Sequence, residues 1–299
     1  MSLHYLDILA LVAYLALITG IGFYFSRKND STEEYFVGGR SFSGWVIGLS
    51  LVGTSISSIT FLAYPGDAFK TSWLRFAPNL MMPLGILFAA YFFLPFFRRG
   101  KITSAYEYLE DRFGPSIRVY GAVAFIIAQV VRISLILFLL SLLLQELTGL
   151  SATSCIILGG VFVAVYTIVG GIDAVIWTDV MQTIVLLLGG ILCLWIIVGL
   201  LPGGLSQIFE VGEQFNKFSF SVLENGNLNA VGWEIRFDEK TISMMLFIGL
   251  IAWLTEYSSN QNTIQRYCAS RSTFEARKAM LVAVLSSLPI WAFYMFLGT

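Results

Sequence analysis

Hydroxyl side chains are concentrated in one apolar stretch of the chain, residues 44–66. Five of them lie within seven residues, directly after Gly53: Thr54, Ser55, Ser57, Ser58 and Thr60. Serine and threonine hydroxyls compete with helical hydrogen bonds, and glycine weakens a helix further. A helix that unwinds here exposes carbonyl oxygens that can coordinate a cation such as Na⁺ or H⁺. The alternative is a continuous helix whose small residues pack closely against a neighbour, and the pattern alone leaves both open.

A second unusual residue, Arg132, lies within the apolar stretch 119–147. It is about 13 residues from either end, which is roughly 20 Å along a helix. A charge at that depth costs about 3 kcal/mol on insertion scales, so we expect the side chain to face the protein interior and to have a partner. That partner is either a carboxylate such as Glu256 or Asp179, the carbonyls of an unwound helix, or an anionic solute held by the guanidinium fork.

Asp179 is the one carboxylate deep in a third apolar stretch, residues 174–201, within the segment GGIDAVIWTDVMQ. It follows Asp173 by about one and a half helical turns. A carboxylate at this depth is a candidate for a cation site or a proton relay. The alternative is an aspartate near the interface that caps neighbouring backbone groups.

The composition of the chain indicates a membrane protein. Of 299 residues, 57% are hydrophobic and 12% are charged, and the mean hydropathy is +0.78. An average soluble domain has about 25% charged residues. Since a water-soluble fold of this size cannot bury so much apolar surface, the composition argues against a soluble enzyme, a nucleic-acid-binding protein and a disordered tail. The single histidine, His4, and three cysteines without metal-ligand spacing argue against a catalytic triad, a zinc site and a disulfide framework.

Eight apolar runs are long enough to cross a lipid bilayer as helices. We expect them at 6–25, 44–66, 76–97, 119–147, 152–170, 174–201, 241–259 and 279–299. One set of connecting loops contains twelve Lys and Arg residues and the other set contains five. Because positive charge accumulates on the inner side of a membrane, the N-terminus is predicted to lie outside. The first run lacks the basic start and cleavage pattern of a signal peptide and is interpreted as a helix.

Two connecting segments carry structural signals of their own. Residues 104–113 begin with Ser104 and Glu107 at the spacing of a capping box, which predicts a short helix on the inner face. Residues 202–240 are predicted to form the longest loop, on the outside, with an amphipathic stretch at 208–218. Three prolines are expected to kink the third span: Pro78, Pro83 and Pro95.

Three segments taken together resemble the sodium/solute symporter family: GLSLVGTSISSITF, GGIDAVIWTDVMQ and NQNTIQRY. The resemblance covers nearly all of the chain, and SSITF, ITSAYEYLE and the arginine of the fourth span further resemble its bacterial sialic acid subgroup. It implies an all-α polytopic membrane protein with the LeuT-like inverted-repeat fold, in which one extra helix precedes five plus five core helices. By this count the chain ends after the start of the second repeat and is not expected to transport alone.

The resemblance also implies roles for the residues described above. Backbone carbonyls of Gly53 and Ile56 would bind the main Na⁺, and Asp179 would help to form a second Na⁺ site. The substrate site would be lined by polar side chains, with the arginine holding the substrate carboxylate: Ser55, Ser57, Thr60, Asn79 and Arg132.

Five positions depart from the related proteins. The sialic acid subgroup has alanine and leucine at the positions of Gly53 and Ile56, a change that ligation through backbone carbonyls tolerates. Asn79 stands where the sialic acid subgroup has a glutamine that contacts the substrate, and Arg75 stands where it has an aromatic residue. Asn262 occupies a position that is a tyrosine, acting as an inner gate, in the sugar-transporting relatives. The departures at Asn79 and Arg75 leave the precise substrate open.

We therefore expect an integral protein of the bacterial inner membrane that imports a small anionic solute, such as sialic acid, together with sodium ions by alternating access. No organic cofactor, enzymatic activity or nucleic-acid partner is expected. The alternative within the family is a neutral sugar or a monocarboxylate as the solute, with Arg132 structural. A channel would need a ring-forming filter motif, and a membrane enzyme would need clustered histidine, cysteine or carboxylate side chains; neither pattern is found in the sequence.

Overall fold

The computed structural model describes residues 4–26, 31–57, 59–99, 104–224, 226–236 and 238–299. Within them the chain is almost entirely helical. The α-helices are α1 (Tyr5–Ser26), α2 (Thr32–Val37), α3 (Gly44–Ser55), α4 (Tyr64–Lys70), α5 (Met82–Phe88), α6 (Leu94–Arg99), α7 (Glu107–Phe113), α8 (Pro115–Thr148), α9 (Ala152–Leu200), α10 (Gly204–Gln214), α11 (Ile242–Ser258), α12 (Gln261–Cys268) and α13 (Thr273–Gly298). Two strands, β1 (Ser221–Glu224) and β2 (Asn227–Ala230), pair antiparallel.

Helices that could cross a membrane overlap all eight predicted segments. By length and composition, five qualify in the described part of the chain, and the count rises to seven if two bent helix pairs are each taken as one span. The 49 residues of α9 exceed twice the length that a bilayer requires. This helix is broken at Gly171, where φ is 62° and ψ is −160°, between the two runs predicted at 152–170 and 174–201.

The predicted interruption of the second span is confirmed. Helix α3 ends at Ser55, Ile56 is extended with φ −97° and ψ 127°, and helical structure resumes with a π turn at Ile59–Ala63 that leads into α4. The two halves are bent by 62°. In the last turn of α3, the hydroxyls of Thr54 and Ser55 donate to carbonyls one turn earlier at 2.8 and 2.9 Å. A continuous helix, the alternative interpretation of this segment, is therefore wrong. Ser58 lies outside the described residues.

A second broken helix was not anticipated. The span predicted at 241–259 corresponds to α11, and it continues after a 51° bend into the short helix α12. Asn260 begins α12 by accepting a hydrogen bond from the backbone N–H of Asn262 at 3.0 Å. The polar composition of 257–266 suggested a loop, because a helix of eight residues is too short to show a clear apolar period.

The third span, in which prolines were predicted to cause kinks, changes helix type along its length. It runs from Trp73 to Arg99. The first part, Trp73–Met81, is a 3-10 helix that contains Pro78, and Pro83 lies in the first turn of α5. A π turn at Ala89–Phe93 then precedes α6. Each change of helix type alters the path of the backbone within one span.

Residues 202–240, predicted as a loop with an amphipathic stretch, contain α10 and the β1–β2 hairpin. Helix α10 begins before the predicted amphipathic stretch 208–218, since the N–H of Gly203 is satisfied by the Gln207 side chain at 2.9 Å. Half of the predicted capping box is present, with the Ser104 N–H donating to Glu107 at 3.1 Å. The Ser104 hydroxyl accepts instead from the Tyr106 N–H at 3.2 Å, and α7 begins only at Glu107.

The buried core lies where α3, α5, α12 and α13 meet. Small residues allow close approach between these helices. A Cβ at Gly48 of α3, for example, would lie 2.6 Å from the Cβ of Val282 on α13. Similarly, a Cβ at Gly249 of α11 would overlap the backbone carbonyl of Pro78. These contacts fix the broken helices against the third span and α13.

We expect Gly249→Ala to destabilise the full-length protein, because the added methyl group meets backbone that cannot rotate away. Overpacking of this kind costs about 1–3 kcal/mol. The measurement is the thermal unfolding midpoint in detergent. Gly189→Ala on α9 is the matched control, since a Cβ there meets no atom within 4 Å. The control should unfold at the same or a higher temperature, because alanine favours a helix more than glycine does. Equal midpoints for both variants would show that the Gly249 contact is not tight.

Candidate functional site

Asp179 forms a shielded ion pair between three helices. Its Oδ2 accepts hydrogen bonds from Arg266 Nη2 at 2.9 Å and from Ser50 Oγ at 2.7 Å. Arg266 Nε also donates to Ser50 Oγ, at 3.1 Å. The two charged side chains are only 10% and 15% exposed. The cluster joins α3, α9 and α12.

Arg266 was missed as a site residue, because the sequence analysis counted it among the cations of an inner loop. The structure places it on α12 with 8% of its surface exposed. Its Nη1 donates to the Asn262 carbonyl at 3.0 Å. The sequence did contain one indication. A carboxylate at membrane depth requires a positively charged partner, and Arg266 is a possible partner of Asp179 as well as Arg132.

The pairing with Arg266 bears on both sequence-based interpretations of Asp179. Its Oδ2 accepts from side chains of distant helices rather than from neighbouring backbone. A cation that used this oxygen would have to share it with Arg266 or displace the guanidinium. A sodium-binding role for Asp179 stays a prediction.

A small cavity of about 180 Å³ lies beside the break in α3. Two predicted sodium ligands, Gly53 and Ile56, line it together with Ser57 and with three residues of the second half of α9: Gln182, Thr183 and Leu186. In a continuous helix the Ser57 N–H would bond to the Gly53 carbonyl, but here it is directed towards Thr60 Oγ1 at 3.5 Å. The end of α3 thus leaves carbonyl oxygens without helical donors, and such oxygens are suitable ligands for a small hard cation.

The predicted substrate-site residues lie in more than one environment. Ser57 lines the small cavity, Thr60 is buried, and Ser55 belongs to the last turn of α3. Asn79 instead lines a larger cavity of about 660 Å³ and donates to the Tyr64 hydroxyl at 2.7 Å. The convergence of these residues and Arg132 on one solute stays a prediction.

Arg132 is not buried, contrary to the sequence-based expectation. Its side chain is 44% exposed, and its Nη1 lies 3.9 Å from Glu256 Oε2. The exposure arises because α8 packs against α7 and α9, while much of its remaining surface is uncovered. Glu256 was one of the partners considered above. The pair is long, so the guanidinium keeps N–H donors that an anion can accept.

Glu256 also bridges the break between α11 and α12. Its two carboxylate oxygens accept hydrogen bonds from Asn260 at 2.9 Å and Thr263 at 2.7 Å. One turn before Arg132 on α8, Gln129 accepts a hydrogen bond from the Asn262 side chain at 3.3 Å. Helix α8 therefore contacts the second broken helix through two polar pairs.

Residues 35–298 match the model of the sodium:solute symporter family, and the chain belongs to this family. It is 32% identical to a sodium/sialic acid symporter of Aliivibrio fischeri over 291 residues, covering 96% of this chain and 56% of that protein. It is also 32% identical to a sodium/sialic acid symporter of Proteus mirabilis over 299 residues, covering 98% and 58%. The human sodium/iodide cotransporter is 32% identical over 278 residues, covering 90% and 41%.

The solved structure of a substrate-bound, outward-open Na⁺-coupled sialic acid symporter matches with a TM-score of 0.88 and 32% identity. The match covers 98% of this chain and 59% of that one. It confirms the expected fold class, an all-α polytopic bundle of the LeuT type, to which the described residues add one β-hairpin. The chain spans somewhat more than half the length of these relatives.

We expect Arg266→Gln to destabilise the full-length protein strongly, because it leaves Asp179 as a shielded charge without its partner. Such losses are about 3–5 kcal/mol. Combining Arg266→Gln with Asp179→Asn should cost less than the sum of the two single changes. The measurement is again the thermal unfolding midpoint in detergent. Arg236→Gln is the control, because Arg236 forms only exposed pairs with Asp238 and Glu239. Strictly additive losses would contradict a coupled pair.

Proposed function

We propose that the full-length protein is a sodium-coupled symporter that imports a small anionic solute, a carboxylated sugar of the sialic acid type. The observation that carries the proposal is the similarity, over nearly the whole chain, to two bacterial sodium/sialic acid symporters. The mechanism is alternating access. It makes and breaks no covalent bond in the solute, so it needs neither an enzymatic centre nor an organic cofactor.

Sodium is the coupling ion in this proposal and binds at the break in α3. The support is the small cavity beside that break and the carbonyl oxygens of Gly53 and Ile56 at the end of the helix. Asp179, in its pair with Arg266, helps to form a second sodium site. Sodium bound at the break favours the conformation whose solute site is organised for binding.

The solute carboxylate binds Arg132, whose exposed guanidinium can offer two parallel hydrogen bonds. Hydroxyl and amide groups of the broken helix and the third span then contact the hydroxyls of the sugar: Ser55, Ser57, Thr60 and Asn79. Glu256 pairs with Arg132 while the site is empty, and the solute carboxylate displaces it on binding.

The location that we propose is the bacterial inner membrane, with the N-terminus outside. The relatives of known sialic acid specificity are bacterial, and the excess of lysine and arginine on alternate loops favours this orientation.

A second candidate is sodium symport of a different solute, such as a neutral sugar, a monocarboxylate or an inorganic anion. Two observations favour it: the pairing of Arg132 with a carboxylate of the chain itself, and the similar level of identity to the human sodium/iodide cotransporter. In this case Arg132 stabilises the contact between α8 and the second broken helix.

Uptake into proteoliposomes tests the proposed function directly. With the full-length protein, we expect an inward Na⁺ gradient to drive accumulation of labelled N-acetylneuraminate, and an equal K⁺ gradient to drive none. Labelled iodide, glucose and pyruvate are measured in parallel. Sodium-driven uptake of one of these without uptake of the acidic sugar would favour the second candidate.

We expect Arg132→Lys to weaken binding of the acid by about thirtyfold, close to 2 kcal/mol, because an ammonium group cannot form the bidentate contact. The protein should still fold, since the positive charge remains. The measurement is the affinity of the full-length protein for the acid and for an uncharged analogue without the carboxylate. The analogue should bind wild type poorly and lose little more on substitution. An equal loss for both ligands would assign Arg132 a structural role.

A further inference from the structure

A groove of about 780 Å³ runs along the surface of the bundle between the third span and α13. On the third span it extends from Pro83 to Tyr91, and on α13 it extends from Phe274 to Val284. At 1.5 Å per residue these stretches are about 12 and 15 Å long. Since the hydrocarbon core of a bilayer is roughly 30 Å thick, the groove matches the depth of one leaflet.

In the orientation proposed above, that leaflet is the inner one. Helix α13 begins at Thr273, directly after a loop that is predicted to lie inside. The end of the groove at Phe274 therefore lies near the inner surface, and the end at Val284 lies near the middle of the membrane. The inner surface of a membrane is rich in anionic phospholipids.

The walls of the groove are mostly apolar and open to the membrane. Several of the side chains that form them are more than half exposed: Leu84, Leu87, Tyr91, Phe274 and Leu281. Apolar side chains at this depth are suitable neighbours for an acyl chain. They would also suit another helix, so the charged residues of the groove decide between the two.

The charged residues that line the groove are two cations, Arg277 and Lys278, about one turn from its inner end. Within the described part of the chain, neither lies within ion-pair distance of a carboxylate. Glu275, on the same helix, is buried and accepts hydrogen bonds from the Gly44 N–H and from Arg271. The lining therefore has a net charge of +2, which favours an anionic occupant.

The backbone of the third span fixes the position of Arg277. In the π turn that precedes α6, the N–H of Leu94 donates to the Ala89 carbonyl. The next residue, Pro95, has no N–H, so neither the α nor the π pattern provides a donor for the Ala90 carbonyl. Arg277 Nε donates to this carbonyl at 3.3 Å. That bond uses one of the five N–H donors of the guanidinium, so its two Nη groups can bind a phosphate.

Aromatic rings lie beside both cations. The guanidinium carbon of Arg277 is 5.0 Å from the centre of the Tyr91 ring, and Lys278 Nζ is 5.4 Å from the centre of the Trp45 ring. Tyr91 and Trp45 are 61% and 58% exposed. Tyrosine and tryptophan are enriched at the level of lipid headgroups, so this pattern places the two cations at that depth.

We propose that the groove binds one anionic phospholipid of the inner leaflet. The phosphate of the lipid binds Arg277 and Lys278, and an acyl chain lies along the apolar walls towards Val284. The bound lipid fills the space between the third span and α13. This inference goes beyond the proposed function, because it does not depend on which solute the protein transports.

Native mass spectrometry of the full-length protein tests the headgroup contact, with phosphatidylglycerol and phosphatidylcholine that have the same acyl chains. We expect the wild type to retain one phosphatidylglycerol in preference to phosphatidylcholine. Arg277→Gln and Lys278→Gln should each lower the affinity for phosphatidylglycerol about fivefold and leave that for phosphatidylcholine unchanged. Arg112→Gln is the control, because it removes an exposed cation that is also predicted to lie inside but does not line the groove. It should change neither affinity.

A second pair of variants tests the acyl chain. Leu281→Trp fills the groove and should lower the retention of phosphatidylglycerol. Leu285→Trp is the control, because Leu285 lies one turn further along α13 and is 65% exposed but does not line the groove. Glycerol 3-phosphate, which carries the phosphate without acyl chains, should not displace the lipid. Unchanged unfolding midpoints in detergent without lipid show that the variants fold.

Three results would overturn the lipid site: equal retention of the two lipids by the wild type, equal losses for Arg277→Gln and Arg112→Gln, or displacement by glycerol 3-phosphate. Unchanged retention by Leu281→Trp would also overturn it, and is the result expected if another part of the full-length chain or a second copy covers the groove. These measurements use neither solute nor a Na⁺ gradient, so the proposed function stands or fails separately.

Discussion

Every backbone N–H and C=O group inside a bilayer needs a hydrogen-bond partner, and this requirement determines where the chain can leave helical geometry. Two helices do so here, α3 after Ser55 and α11 after Ser258. Polar side chains surround both breaks: hydroxyls that follow Gly53 in the first, and Glu256 with Asn260 in the second. The broken backbone is therefore compensated by protein groups, and the same groups provide the candidate ligands for a cation and a polar solute.

The short helix α12 connects the two candidate sites. Its Arg266 pairs with Asp179, which is predicted to serve sodium, and its Asn262 contacts Gln129 on the helix that carries Arg132. These two residues of α12 are four positions apart and so lie on neighbouring parts of one helix face. A movement of α12 would change both contacts together. This arrangement offers a physical route by which sodium and solute could affect each other's binding.

Local signals in the sequence were sufficient for the main features of the fold. The hydroxyl cluster predicted the break in α3, and the separate apolar runs 152–170 and 174–201 predicted two spans on either side of the break in α9. Features that depend on neighbours from distant parts of the chain were not predictable. Arg266 is shielded only because α3 and α9 surround it, and Arg132 is exposed only because α8 is covered on part of its surface. The β-hairpin within 202–240 was missed because its strands have four residues each, too few for a clear alternation.

The central claim is that a sodium site and a solute site share the broken helix α3. Calorimetric titration of the full-length protein tests it most directly, with the acid added in Na⁺ and in K⁺, and with Na⁺ added in the presence and absence of the acid. We expect each ligand to raise the affinity of the other by the same factor, about 5–150-fold, because linkage between two sites is reciprocal. An affinity for the acid that is the same in Na⁺ and in K⁺ would contradict the claim.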